Sequence, residues 1–224
     1  MAKVIKLRKG LNPHLKGKAE AKVVAIDASE VYGLVPDAFV GVKPKLVAKE
    51  GDVVKAGDAL FVDKLHPEVK FVSPVSGKVT SVERGDRRKI LSVQVTADKQ
   101  QVYADFGKKN VSSLSGEQVK VALLEAGLFA FFLQRPYAVT ANPADTPKAI
   151  FVSTFSDMPL AADFEVAVKG NEADFQTGVD ALAKIAKVYL GVKPSASSVL
   201  SNAKNAEVTV FEGKCPAGNV GVQI

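Results

Sequence analysis

Residues 41–95 read GVKPKLVAKEGDVVKAGDALFVDKLHPEVKFVSPVSGKVTSVERGDRRKILSVQV, and their punctuation decides the fold. Gly51-Asp52 and Gly57-Asp58 are turn dipeptides, and Ser76-Gly77 and Gly85-Asp86 supply two more turns. The apolar runs between them are about four to six residues long, the length of a strand and too short for a helix. Strands of that size close into a small β-barrel or sandwich. Val79, Val82, Ile90, Leu91, Val93 and Val95 are its candidate core.

Upstream, residues 1–40 read as short strands and turns. Ala21–Ile26 (AKVVAI) has the β-branched content of a strand, and Gly10, Pro13, Gly17, Gly33 and Pro36 break the segment too often for helices. Downstream, residues 98–148 form a connector with one clear helix. Ser115 is its N-cap and Gln118 holds the capping-box position. Val119, Ala122, Leu123 and Ala126 recur at helical spacing, and Gly127 is a natural stop. Residues 149–224 change character. Strands at 149–155, 188–192 and 207–211 alternate with helices at 174–188 and 195–202. That alternation predicts βαβ units and a parallel sheet. Three strands ending in the glycine-rich run 213–221 make a poorly closed sheet, so the chain reads as the N-terminal part of a longer protein. The predicted organisation is therefore 1–40, a β module at 41–97, a connector at 98–148 and an incomplete α/β domain at 149–224.

Composition narrows the function classes. The chain has 224 residues, 47% hydrophobic and 24% charged, the balance of a folded protein of one or two domains. The net charge is +6, with the basic residues spread along the chain; the nearest thing to a cluster is Arg84, Arg87, Arg88 and Lys89. With four Tyr, no Trp and no basic–aromatic interleaving, nucleic acid is not an expected partner. Weak attraction to anionic phospholipid fits the charge equally well. A single cysteine, Cys215, excludes an internal disulfide framework and a four-cysteine cluster made by this chain alone. The start carries no signal-peptide core, and Lys120 and Glu125 interrupt the most apolar stretch, 119–133. A cytoplasmic chain that meets a membrane only indirectly is the expectation.

Four features could carry chemistry. First, residues 49–60 (KEGDVVKAGDAL) with 73–79 (SPVSGKV) resemble the biotinyl/lipoyl hammerhead. A modified lysine belongs at an exposed hairpin tip. Lys64 follows Gly57 by too few residues, which places it at a strand end and favours a scaffold version of the fold. Second, His14 and His66 lack metal-ligand spacing, and no Gly-x-Ser-x-Gly elbow supports a hydrolase. Third, the run Gly213–Gly221 matches no phosphate-loop spacing and no helix is predicted after it, so a structural turn is expected there. Fourth, residues 128–133 (LFAFFL) precede Arg135 and Tyr137. Read as a strand, Phe129 and Phe131 share one face and Phe132 takes the other. The segment is then either a buried plug or an apolar slot with Arg135 as a donor to a carbonyl.

Motifs distributed along the chain carry a wider resemblance. They are 5–13 (IKLRKGLNP), 41–57, 59–64 (ALFVDK), 72–77 (VSPVSG), 84–89 (RGDRRK), 148–153 (KAIFVS), 157–161 (DMPLA), 175–182 (FQTGVDAL) and 216–221. In this order they resemble the A subunits of the bacterial sodium-translocating NADH:quinone reductases. The resemblance implies an α+β, mixed architecture: a barrel-sandwich hybrid, a helical connector and a truncated Rossmann-like α/β domain. It also implies a peripheral location on the cytoplasmic side of the bacterial inner membrane, with the other subunits and a quinone, ubiquinone or menaquinone, as partners. Flavin, iron–sulfur and NADH sites would belong to other subunits, and no covalent biotin or lipoate is expected here. The isolated chain is then not expected to be catalytic. Phe39, beside Leu34 and Val35, and Phe131, Phe132 and Arg135 are the candidate quinone contacts. The C subunit of the Rnf-type electron-transport complex, a covalent-cofactor carrier and a pure assembly scaffold are the alternatives.

Overall fold

The computed structural model describes residues 2–17 and 20–224. The chain divides into two compact units, each with its own core. One gathers residues 26–109 and 120–146; the other gathers the residues up to Ala25 with 110–119 and 147–224.

Strand β1 (Lys3–Lys6) belongs to the second of these, the α/β unit. The segment expected as a strand at Ala21–Ile26 forms none, and Val23 and Ile26 are almost fully exposed. β-propensity reports a fit to a pleated, half-buried surface, and no neighbouring strand supplies one here.

The β module contains β2 (Val31–Leu34), β3 (Pro44–Leu46), β4 (Val53–Val54), β5 (Ala59–Asp63), β6 (Lys70–Val72), β7 (Gly77–Arg84) and β8 (Ile90–Ala97). They make two antiparallel sheets, ordered β2-β8-β7-β4 and β3-β5-β6. Leu60, Phe61, Phe71, Val79, Val93 and Val95 form the core and are at most 1% exposed. The two Gly-Asp turns share one device. Asp52 Oδ2 accepts the Lys49 N–H at 2.8 Å, and Asp58 Oδ2 accepts that of Lys55 at 2.7 Å. The glycine between each pair has positive φ, which side chains rarely tolerate. Leu91, predicted for the core, lies on the outer face because it alternates with buried Ile90 and Ser92.

In the connector, α1 (Gly116–Glu125) opens on the predicted capping box. Gln118 N–H donates to Ser115 Oγ at 3.2 Å, and Ser115 N–H donates to Gln118 Oε1 at 2.9 Å. Gly127 then takes φ 72°. Residues 128–131 form a 3-10 turn and not the strand considered from sequence. A small hairpin follows, β9 (Leu133–Gln134) and β10 (Val139–Thr140).

The α/β unit continues with β11 (Ala149–Ser153), α2 (Phe164–Val168), α3 (Glu172–Ile185), β12 (Lys187–Val192), α4 (Ser198–Ser201), β13 (Ala206–Glu212) and α5 (Val220–Gln223). The sheet order is β1-β13-β12-β11, parallel throughout. The expected lone three-strand sheet is corrected: β1 is a fourth strand, because its alternation lets Lys3–Lys6 pair with Thr209–Glu212. Leu190, Val192 and Leu200 are buried on one side with Phe175 of α3. The other side keeps a cavity of about 220 Å³ bounded by Ile5, Phe151, Tyr189, Glu207, Phe211 and Ile224. There Phe151 stacks on Tyr189 at 5.1 Å, and Lys187 Nζ lies 4.6 Å from the Tyr189 ring centre and 2.6 Å from Glu207.

Candidate functional site

Phe39 and Phe131, far apart in sequence, meet in the β-module unit. Pro36 starts a 3-10 turn over residues 36–38 because its ring already holds the required φ. Phe39 N–H closes that turn on Pro36 O at 3.0 Å. The Phe39 ring then meets Phe71 edge-on at 4.5 Å, and Phe71 stacks on Phe61 at 4.7 Å. On its other side Phe39 meets Phe131 at 6.1 Å, again edge-on. The four rings run from the core to the surface, where Phe131 is 70% exposed.

Phe132 does not join them. In a 3-10 turn residues three apart eclipse one another. Phe132 therefore stacks on Phe129 at 5.3 Å, against the core. The strand reading paired Phe129 with Phe131; the turn separates them and leaves Phe131 alone outside. Arg135 stands with Tyr137 in the exposed β9–β10 turn and makes no hydrogen bond or ion pair among the described residues.

Thr140 N–H donates to Val40 O at 2.9 Å, tying the hairpin to the chain just after Phe39. The Thr140 hydroxyl is buried and has no partner among the described residues. Sequence reasoning passed over Thr140, since an ordinary strand threonine carries no signal until its neighbours are known. Phe39 and Phe131 make a short apolar wall, and the hairpin tied to Val40 carries Leu133 and Arg135. Such a wall suits a flat apolar ring bearing a hydrogen-bond acceptor.

The other sequence candidates lie elsewhere. Lys64 is the first residue after β5, with its backbone N–H on Lys43 O at 2.8 Å and its side chain in solvent. The buried Asp63 carboxylate beside it accepts the N–H groups of Lys43 at 3.1 Å and Leu65 at 3.2 Å. His14 and His66 belong to no group of three or more metal-ligating side chains among the described residues. In the glycine-rich run several backbone donors are already in use. Gly218 N–H points at Asp157 Oδ2 (3.1 Å), Cys215 N–H at Asn12 Oδ1 (2.9 Å) and Gly221 N–H at Asn219 Oδ1 (2.7 Å). A carboxylate occupying the loop opposes a phosphate there. A short helix, α5, does follow this run, capped by Asn219, contrary to the expectation from spacing. Burial pushes the Cys215 thiol above its ordinary value, and the Asp157 carboxylate adds to the shift.

Two layers of antiparallel strands and then a parallel α/β sheet, with a surface ring cluster on the first, define a two-unit α/β protein built on the biotinyl/lipoyl-like sandwich. Comparison with known proteins narrows the class. Residues 5–98 match the NqrA N-terminal barrel-sandwich hybrid domain, and residues 114–224 match the NqrA second alpha/beta domain. The chain is 35% identical to the A subunit of the Na(+)-translocating NADH-quinone reductase of Yersinia pseudotuberculosis serotype O:1b (strain IP 31758) over 225 residues, covering 99% of this chain and 50% of that protein. It is also 35% identical, over 227 residues each, to the proteins of that name from Photorhabdus laumondii subsp. laumondii and Serratia proteamaculans (strain 568). Those matches cover 99% of this chain and 50% and 51% of the two relatives. The chain belongs to the NqrA family. It spans about half the length of the curated relatives it matches.

Proposed function

We propose that this chain acts as NqrA in a sodium-translocating NADH–quinone reductase, and that its β-module unit contributes to quinone interaction. The observation that supports the reading is the Phe39–Phe131 pair, a ring held by the core against a ring left in solvent. In this reading Phe131 and Phe39 form the wall for the quinone head, ubiquinone or menaquinone. Arg135 donates to a head-group carbonyl. Phe132 supports the wall from the core side. The chain sits peripherally on the cytoplasmic side of the membrane, with the other subunits of the complex as partners, and the electron-carrying flavin and iron–sulfur groups lie on those subunits. Lys64 carries neither biotin nor lipoate. No helix among the described residues is long and apolar enough to cross a membrane.

The test is titration of a quinone analogue against three variants. Phe131→Ala and Phe39→Ala each weaken binding by about 1–3 kcal/mol, the range for removing a large apolar contact; Lys64→Ala leaves it unchanged. Thermal melts separate binding from folding, because Phe39 also packs on Phe71 while Phe131 is mostly exposed. Unchanged affinity in both Phe variants, with the fold intact, places the quinone elsewhere and leaves the scaffold reading.

A further inference from the structure

The same end of the β module carries a second feature, which needs no quinone. The β7–β8 turn holds Arg84, Arg87, Arg88 and Lys89. Arg84 Nη1 donates to Arg88 O at 3.1 Å and Gly85 N–H donates to Lys89 O at 2.9 Å, which closes the turn. Arg87 and Arg88 take φ 54° and 61°, left-handed values that two successive non-glycine residues rarely share. Both are exposed and form no ion pair among the described residues. Lys89 Nζ reaches Asp37 Oδ2 at 2.5 Å, so the turn is tied to residues 36–38 and hence to Phe39 and its neighbour Phe131. Of the nearby carboxylates, Asp37 is taken by Lys89, and Glu83 is held by Ser92 and Gln94. Glu50, which accepts the Val82 N–H at 2.7 Å, and Glu83 lie further back along β7, so Asp86 is the carboxylate within the turn itself beside Arg84, Arg87 and Arg88.

Beyond Phe131, the apolar groups exposed around this end are single side chains on turns and hairpins, among them Val35, Val40, Leu91, Leu133 and Tyr137. Arg135 adds a further cation beside Tyr137. A groove for a peptide would be concave and continuous. Isolated aromatic and aliphatic tips flanked by arginines instead match a surface whose apolar layer lies under a negative one. Tyrosine suits that boundary, with its ring below and its hydroxyl in water.

We infer that the β module docks on an anionic phospholipid bilayer through this end, with Phe131 and Tyr137 entering the headgroup layer and Arg87, Arg88 and Arg135 meeting lipid phosphates. The far end of the same β7–β8 hairpin, where Gly77 pairs with Ala97, provides an internal control. It carries Lys78 and, just beyond, Lys99.

The test is co-sedimentation of the chain with vesicles of phosphatidylcholine alone and with vesicles in which phosphatidylglycerol replaces part of it, quinone being absent from both. Binding to the anionic vesicles that weakens with salt is expected. Arg87→Gln with Arg88→Gln lowers partitioning by about 25-fold, taking roughly fivefold for each basic residue near the surface. Lys78→Gln with Lys99→Gln removes the same charge and leaves partitioning nearly unchanged. The chain has no Trp, so a single introduced one reports its own surroundings. Emission from the Tyr137→Trp variant shifts to the blue on vesicle addition; emission from the Tyr103→Trp variant, near Ala56 and β4, does not. Equal losses in the two charge variants, or no shift at position 137, overturn the inference in favour of diffuse charge attraction. No sedimentation with either vesicle overturns it in favour of an acidic protein partner. Thermal melts of each variant confirm that the fold is kept.

Discussion

Phe131 and Cys215 show how a residue's neighbours set its role. Phe131 follows Phe129 by two positions, yet one is 70% exposed and the other 7%. The 3-10 turn causes the difference, since it eclipses residues three apart and divides residues two apart. Cys215 is the one cysteine, and its Sγ lies 3.5 Å from Met158 Sδ beside Asp157. Burial disfavours the thiolate, and the negative charge of the neighbouring Asp157 carboxylate disfavours it further. The thiol pKa is therefore raised, so less thiolate is present at neutral pH than in a free cysteine. Alkylation by iodoacetamide should be slower than for a small-molecule thiol, and its pH midpoint should be higher. Asp157→Asn keeps an oxygen for Gly218 N–H but removes the charge. It should move the midpoint down and speed alkylation near neutrality; an unmoved midpoint would show that the Asp157 charge does not act on the thiol.

At the scale of elements, two glycines place chain segments that no other residue could. Gly127 ends α1 at φ 72°, and a Cβ there would stand 2.5 Å from Val72 Cγ1 of β6. Gly77 opens β7 where a Cβ would stand 2.0 Å from the Thr96 carbonyl oxygen. The first combines left-handed backbone with a clash; the second is close approach of backbone to backbone across a strand pair. Gly127→Ala should destabilise by more than the ~1 kcal/mol usual for losing a left-handed glycine, because Val72 must also move. Gly17→Ala is the comparison, since Gly17 has positive φ and open space around it. Equal losses in denaturant midpoints for the two variants would remove Val72 from the account.

Across the whole molecule, the α/β sheet depends on residues at the far end of the chain. β1 covers the open edge of β13 from Lys3↔Thr209 to Lys6↔Glu212, and Leu7 N–H extends the ladder to Glu212 O at 2.8 Å. Leu11 N–H reaches Cys215 O at 3.0 Å, so the N-terminal segment also holds the glycine-rich run. Removing residues 2–9 should raise hydrogen exchange in residues 206–217 and leave residues 77–97 unchanged. Each unit has its own core, so loss of one sheet edge need not unfold the other unit. Equal deprotection of both stretches would show that the two units unfold as one.

Local sequence determined the β module. Gly-Asp turns with an aspartate accepting the N–H three residues back need nothing distant, and neither does alternation such as Lys78-Val79-Thr80. The capping box at Ser115–Gln118 and the parallel strands β11, β12 and β13 were legible for the same reason: each rests on periodicity or on contacts within a few residues. Of the candidate site, the sequence named Phe39, Phe131, Phe132 and Arg135 as residue types suited to an apolar ligand. Tertiary structure alone decided that Phe39 touches Phe131, that Phe132 turns into the core, and that the Thr140 hydroxyl is left without a partner. It likewise decided that Val23 and Ile26 find no strand to join while Val4 and Ile5 do. The physical reason is common to these cases. Strand pairing and ring contacts join residues distant in the chain, and a residue's own propensity does not say which partner the folded chain will bring.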